Sequence, residues 1–331
     1  MANINHFDFK NYRVFETEIA GRKLTVETGK MAQLANGSCL VRYGETAVLV
    51  TATASAKPRD GIDFFPLSVD FEERMYAVGR IPGSFMRREG RPSEKAILSS
   101  RQIDRPMRPL FPKDYRNDVT LENLVMAVDQ DCSPELTAML GAALATSISD
   151  IPFDGPISTT QVGLVDGEFV FNPTAAQKIV SDLALTVAST KEKVIMIEAG
   201  AKEVPEDKMI EAIFAAHELN QKVIAFFDTI VAECGKKKHE YQSFAVPQEL
   251  FDAIQEIVTP AEMEEAVFTD DKQTREENIR VITEKLEEAF ADNEEWLAKL
   301  GEAVYQYQKK TVRKMILKDH KRPDGRAIDQ I

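Results

Sequence analysis

The sequence predicts an α+β layered domain followed by a small all-α domain, on three observations. Short β-branched runs separated by glycines fill residues 14–73. A stretch that is apolar on nearly every side follows at Leu136–Ile148, and only a layered core buries such a helix. Beyond residue 245 glycine nearly vanishes and apolar residues recur at helical spacing.

The first strands are Val14–Glu18, Lys23–Glu27, Ser38–Tyr43, Ala47–Ala54 and Leu67–Phe71, punctuated by Gly21, Gly29, Gly37, Gly44 and Pro58. Tyr43-Gly44-Glu45-Thr46 suits a tight hairpin, and the alternation in Thr-Ala-Val-Leu-Val-Thr-Ala-Thr suits a half-buried strand. Residues 74–92, with Gly79, Gly83, Gly90, Pro82 and Pro92, read as a long irregular loop. A helix begins at Ser93-Glu94, with Ser93 as N-cap, and breaks at Arg105-Pro106 and Arg108-Pro109. Leu121–Val128 is an apolar strand. Ser133-Pro134-Glu135 then has the order of a helix start: a cap, Pro at the first position and an acid in the first turn. Val162–Val165 and Glu168–Phe171 form a hairpin about Asp166-Gly167. Strands Leu183–Ala188 and Val194–Glu198 and a long helix from Glu206 to Glu233 close the first domain, 1–235, divided into parts of about 12–145 and 146–235. Gly235-Lys236-Lys237-Lys238-His239 marks the boundary. An all-α domain of three or four helices follows over 236–318, and a turn sequence, His320 to Arg326, lies in the remainder, 319–331.

Composition narrows the function classes. The 331 residues carry 41 Lys+Arg against 54 Asp+Glu, for a net charge of −13, and 44% hydrophobic residues suffice for two packed cores. No apolar run nears the ~20 residues of a membrane span, and MANINHFDFKNYRVF has neither a basic nor an apolar leader region. Cys39, Cys132 and Cys234 form no CxxC pair, so a reducing cytoplasm is expected. His6, His217, His239 and His320 make no ligand pair at four-residue spacing, and no GxxxxGK[ST] occurs. Asp60 with Asp63, and Asp114 with Asp118, read as solvated or capping carboxylates rather than as acid–base pairs.

The charge is uneven. Arg80 to Arg116 holds ten Lys/Arg against four Asp/Glu, a local +6, whereas Pro247 to Lys310 holds 17 acids against seven cations, a local −10. The loop Pro82-Gly83-Ser84-Phe85-Met86-Arg87-Arg88-Glu89-Gly90-Arg91-Pro92 sets two large apolar side chains beside an arginine pair. An aromatic that stacks on a base, with Arg on the phosphates, is the combination that grips single strands; a buried Phe anchoring the loop uses the same residues. Arg101, Arg105 and Arg108 share one helix face and serve either phosphate contact or pairing with Asp104 and Glu94. Ser133 is read as a cap rather than a phosphate site.

At these residues the sequence resembles bacterial polynucleotide phosphorylase (polyribonucleotide nucleotidyltransferase). The matching strings are ANGSCLVRYGETAVLVTATAS (35–55), DFFPLSVDFEERMYAVGRIPGSFMRREGRPSE (63–94), RQIDRPMRPLFP (101–112), SDIPFDGPI (149–157) and RPDGR (322–326). The resemblance covers the whole chain and the N-terminal half of the family's length. It implies a first ribonuclease-PH-like (ribosomal protein S5 domain 2-like) core, then an all-helical domain. Residues 319–331 would open a second core, and KH and S1 domains would follow it. The implied activity is phosphate-dependent 3′-to-5′ exoribonuclease action, releasing nucleoside diphosphates from RNA in mRNA degradation. The implied assembly is a homotrimer, with RNA degradosome proteins as further partners.

In this family the phosphate loop, the Mg²⁺-binding aspartates and a lysine belong to the second core. The equivalent stretch here carries Lys178, Ala184 and Thr186 at those three positions. Only Asp182 remains as a carboxylate, and only Ser133 remains of the phosphate loop. The resemblance therefore implies no catalytic and no metal residues in this chain, which by itself is expected to be inactive. What carries over is an RNA-binding set: Phe85, Met86 (where relatives commonly have a second Phe), Arg87, Arg88, Arg91, Arg101 and Arg105. Two other readings stay open, an autonomous phosphorolytic exoribonuclease and a non-enzymatic protein-interaction module built on the acidic helices.

Overall fold

The computed structural model describes residues 9–331; His6 and most of the stretch weighed above for a leader lie outside the described residues. Contacts divide the chain into one compact unit through Ser243 and a second from Phe244 to Ile331.

The first unit holds two sheets. Strands β1 (Arg13–Ile19), β2 (Arg22–Thr28), β3 (Gly37–Tyr43), β4 (Thr46–Ala54), β5 (Leu67–Glu72) and β6 (Val119–Ala127) form one in the order β1-β2-β3-β4-β6-β5. All neighbours are antiparallel except β5 and β6, which run parallel because helix α1 (Glu94–Met107) lies between them in the chain. At the β3–β4 turn Tyr43 pairs with Thr46, and Gly44 takes φ +57°, where a Cβ would stand 2.5 Å from the Cys132 sulfur. Helix α1 runs through Pro106 rather than breaking before it. The proline sits in the last turn, where a single N–H is forgone and the chain passes at once into a 3₁₀ turn at Arg108–Leu110.

Helix α2 (Pro134–Ile148) lies against β3 and β4, and every residue from Leu136 to Ile148 is buried. Gly141 allows the close approach, since a Cβ there would meet Val50 at 2.5 Å. The second sheet, β10-β9-β7-β8, comprises β7 (Ser158–Val165), β8 (Glu168–Phe171), β9 (Leu183–Ser189) and β10 (Val194–Ala201), all antiparallel. The β7–β8 turn puts Asp166 and Gly167 both at positive φ, as a two-residue hairpin of the primed type requires. Between β8 and β9 lies a short helix, α3 (Ala175–Val180), which the periodicity does not reveal. Thr174 and Gln177 close a reciprocal capping box at its start. Helix α4 (Glu206–Cys234) covers β7 and β9.

Residues 236–243 differ from the sequence reading, which places them with the helices. The Lys236 N–H donates to Ile148 O at 3.0 Å and the His239 N–H to Asp150 O at 2.7 Å. The Lys238 ammonium donates to the carbonyls of Thr146, Ser147 and Ser149 at 3.2, 2.9 and 2.7 Å, so it satisfies the C-terminal end of α2. Tyr241 donates to Asp114 at 3.0 Å. The segment is a strap on the first unit.

The second unit is all helix: α5 (Gln248–Ile257), α6 (Pro260–Val267), α7 (Lys272–Ala289) and α8 (Glu294–Leu317). Its core gathers Leu250, Ile254, Met263, Val267, Leu286, Leu300, Val304 and Met315. Among the described residues no helix is long and apolar enough to cross a membrane.

Candidate nucleic-acid interface

The loop between β5 and α1 is pinned at its base and free at its tip. Glu89 accepts from the Arg74 guanidinium at 2.8 Å and from the Met75 N–H at 2.7 Å. Arg74 also meets Glu72 at 2.7 Å. The hydrogen bond from Arg74, then that from Met75, holds the Glu89 carboxyl below the usual carboxylate range. At the far end Ser93 caps α1, accepting from the Ala96 N–H at 3.0 Å while donating to Glu73 at 3.0 Å.

The tip is a tight turn closed by the Arg87 N–H donating to Ser84 O at 2.9 Å, so Phe85 and Met86 occupy its two central positions. Phe85 is 101% exposed and Met86 65%. A buried Phe anchoring the loop is thereby excluded for Phe85. Arg87 follows at φ +47°, a left-handed conformation that costs a non-glycine residue roughly 1 kcal/mol. Among the described residues the side chains of Arg80, Arg87, Arg88, Arg91 and Arg101 have no ion pair, and all five are exposed. Desolvating an aromatic without cost to the fold and neutralising phosphates with unpaired guanidiniums are what this tip is fitted to do.

The arginines at the end of α1 and just after it divide. Arg105 pairs with Glu198 of β10 at 2.8 Å. Arg108 is held by Asp104 at 2.8 Å and donates to the carbonyls of Phe65 and Leu67, so its role is structural.

A cleft of 820 Å³ opens beside the loop base, lined in part by Glu73, Arg74, Lys95, Ser133, Glu135 and Lys178. Ser133 and Lys178, far apart in sequence, come to the same cleft. Ser133 spends its hydroxyl on the helix: it accepts from the Leu136 N–H at 3.3 Å and donates to Glu135 at 2.7 Å, so it is the cap the sequence suggests. Lys95 meets Glu135 at 2.7 Å. Burial raises the Glu135 carboxyl, but hydrogen bonds from Lys95 and Ser133 outweigh it and leave the group below its ordinary value. Desolvation lowers Lys178. Asp182 turns to Lys202 at 3.3 Å. An ammonium at 178, a methyl at 184, a buried hydroxyl at 186 and one carboxylate already paired do not fit a divalent cation. Among the described residues no group of three or more His, Cys, Asp or Glu side chains is arranged to hold a metal. Of the carboxylates weighed as pairs in the sequence, Asp118 meets Arg59 at 2.6 Å and Asp114 accepts from Tyr241.

Sequence reasoning does not single out Glu89 and Arg74 as the loop's pin, nor Lys95 and Glu135 as the charged wall of the cleft. The readable signal for α3, which carries Lys178, is the Thr174-x-x-Gln177 capping box.

Comparison with known proteins adds the following. Residues 20–152 match the 3′ exoribonuclease family, domain 1, and residues 155–218 match its domain 2. Residues 249–327 match a domain described as polyribonucleotide nucleotidyltransferase, RNA binding domain. The chain is 72% identical, over 97% of its length, to the polyribonucleotide nucleotidyltransferase of Lachnoclostridium phytofermentans, and 56% identical to that of Ruminiclostridium cellulolyticum. In both cases it spans 46% of the relative. The crystal structure of rice Rrp46 superposes with a TM-score of 0.50 at 14% identity, covering 69% of this chain and 98% of that one, a likeness of fold.

Proposed function

The chain belongs to the polyribonucleotide nucleotidyltransferase branch of the 3′ exoribonuclease family, and from that premise we propose that it is the RNA-guiding part of a phosphate-dependent 3′-to-5′ exoribonuclease. One observation carries the reading: a fully exposed Phe85 and its neighbour Met86 stand at the tip of a pinned turn, with Arg87, Arg88 and Arg91 unpaired around them. Such a tip stacks on an unpaired base and neutralises the phosphates on either side, whatever the base sequence. Arg101 extends the cationic surface along α1, and Arg105 joins it when its exposed pair with Glu198 yields to phosphate.

Chemistry is assigned elsewhere. That 178–186 does not fit Mg²⁺ supports the reading in which the metal, the phosphate-binding site and the reacting groups belong to the part of the relatives' length that this chain does not span. Residues 319–331, which contacts group with the helices and of which 319–327 fall in the matched RNA binding domain, lead by resemblance toward that second core. In the complete protein the substrates are RNA and inorganic phosphate and the products nucleoside diphosphates. The assembly is a cytoplasmic homotrimer that takes part in mRNA degradation and meets RNA degradosome proteins.

The test is a titration of the 331-residue chain with single-stranded RNA, with and without phosphate and Mg²⁺. Salt-dependent binding without nucleoside diphosphate release is expected. Phosphate-dependent ADP release from poly(A) would establish the autonomous enzyme instead, and no binding even at low salt would leave the interaction module.

A further inference from the structure

We propose that the groove between α6 and α7 is a docking site for a basic amphipathic helix of a partner protein, which seats two apolar side chains one turn apart on the groove floor. The ligand is a protein and the surface acidic, so the inference does not rest on the RNA reading, which uses cations.

The floor is aliphatic. A cavity of 410 Å³ opens over Val258, Ala266, Val281 and Ile282, within the ~300–1,000 Å³ range of ligand pockets. Val258, Ala266 and Ile282 are buried in the core of the unit, whereas Val281 is 55% exposed. A lone exposed valine is ordinary on a surface, but this one continues the floor of a cavity. A β-branched side chain also gives up helix propensity at a solvent position, with no packing inside the unit to offset it.

The polar groups that cross the groove are already spent. At one end Asn278 donates to Ala266 O at 3.3 Å. At the other the Lys285 ammonium donates to Ile257 O at 3.1 Å and to Glu262 at 3.3 Å. Seven residues of α7, about 10 Å of helix, separate these two bridges. That length accommodates two turns of a docked helix, hence two anchors at i and i+4.

The rims are acidic. At 3.6 residues per turn Glu277, Val281, Glu284 and Glu288 fall in one stripe of α7, and all four are exposed. Glu262 and Glu265 of α6 border the other side. Arg280 is held between Glu277 and Glu284, and Lys285 by Glu262, so five acids meet two cations. Glu265 and Glu288, one on each rim, have no ion pair among the described residues. Acids on both sides of an apolar floor complement a helix whose apolar stripe is flanked by Lys or Arg. The same acids repel a phosphate backbone or an anionic membrane.

The experiment titrates a fluorescein-labelled synthetic helix of leucine and lysine, with the leucines along one face, into the full 331-residue chain and follows anisotropy. Saturable binding that weakens with salt is expected; no binding would overturn the proposal. Val281→Ala, which favours the helix, should weaken binding roughly three- to tenfold for two carbons removed from the contact. Glu265→Gln with Glu288→Gln should weaken it severalfold at low salt and flatten the salt dependence. Arg87→Ala with Arg88→Ala should leave peptide binding unchanged, which separates this groove from the loop. Unaltered affinity in both groove variants, with circular dichroism showing each folded, would overturn the site. A scrambled peptide of the same composition bound as tightly would reduce the groove to a general acidic surface and also overturn it. Self-association of the chain that Val281→Ala abolishes would give the groove to a second copy and overturn the partner assignment. Failure of the unaltered chain to bind RNA would overturn the loop reading and leave this site standing.

Discussion

The carboxylate of Glu89 meets the guanidinium of Arg74 at 2.8 Å across the base of the loop that carries Phe85. Fifteen residues separate the partners, and the same carboxylate takes the Met75 N–H at 2.7 Å, so one side chain ties the loop's return to its departure. Glu89→Asp keeps the charge but shortens the reach by one methylene. We expect RNA affinity to fall roughly three- to fivefold, in line with the ~0.5–1 kcal/mol of an exposed charge-assisted contact, with the salt dependence unaltered. Fluorescence anisotropy across a salt series checks both halves of the expectation.

Arg87 and Arg88 act through charge rather than shape. Replacing both by Ala should lower affinity most at low salt and flatten the log–log slope by about 1.4. An unchanged slope would mean that neither guanidinium reaches a phosphate. Stability should stay within about 0.5 kcal/mol, because neither side chain has a partner to lose.

Phe85 and Met86 act through stacking. Phe85→Ala should cost about 1–3 kcal/mol of RNA binding and leave the melting temperature unmoved, since a fully exposed ring contributes nothing to the core. Met86→Phe should tighten binding by adding a second aromatic face at the neighbouring turn position. A Met86→Phe variant that binds no better would mean that only the first turn position touches a base.

Local signals account for what the sequence makes legible. The caps at Ser93 and Ser133 are readable because residue type and spacing alone define them, and α2 is readable because a helix apolar all round has one place to go. Helix α3 is missed because six residues are too few to show a period, although its capping box is written in the sequence. Pro106 is misread as a break because the penalty of proline depends on where in the helix it falls, and in the last turn little remains to disrupt. The strap over 236–243 could not be read at all. Lys238 finds its three carbonyls 89–92 residues away, a tertiary match that leaves no trace in composition. The loop pin fails for the same reason on a smaller scale: among many Arg and Glu, spacing does not say which Glu meets Arg74.

The wall of the cleft yields a prediction about stability and pH. Lys95 holds Glu135 at 2.7 Å, with the Glu135 side chain only 15% exposed and that of Lys95 65% exposed. Lys95→Met removes the partner and leaves a largely buried carboxylate. The expected loss is about 1–2 kcal/mol near neutral pH, less than the ~3–5 for a fully buried pair because water still screens the lysine side. The pH dependence has a definite sign. Glu135 is lowered from an ordinary value of 4.5, so its stabilising contribution is complete above 4.5 and is lost as the pH falls through the lower folded value. Lys95 is raised from 10.5, chiefly by the hydrogen bond to Glu135, so its contribution is complete below 10.5 and is lost as the pH rises through the higher folded value. The gap between the original chain and the variant should therefore be flat across the neutral range and close toward both extremes. Urea unfolding at a series of pH values, followed by far-UV circular dichroism, measures it. Trp296 fluorescence alone would report the helical unit and miss the effect. A gap that persists unchanged on acidification well below 4.5 would mean that Lys95 stabilises the first unit through packing of its stem and not through the charge on Glu135.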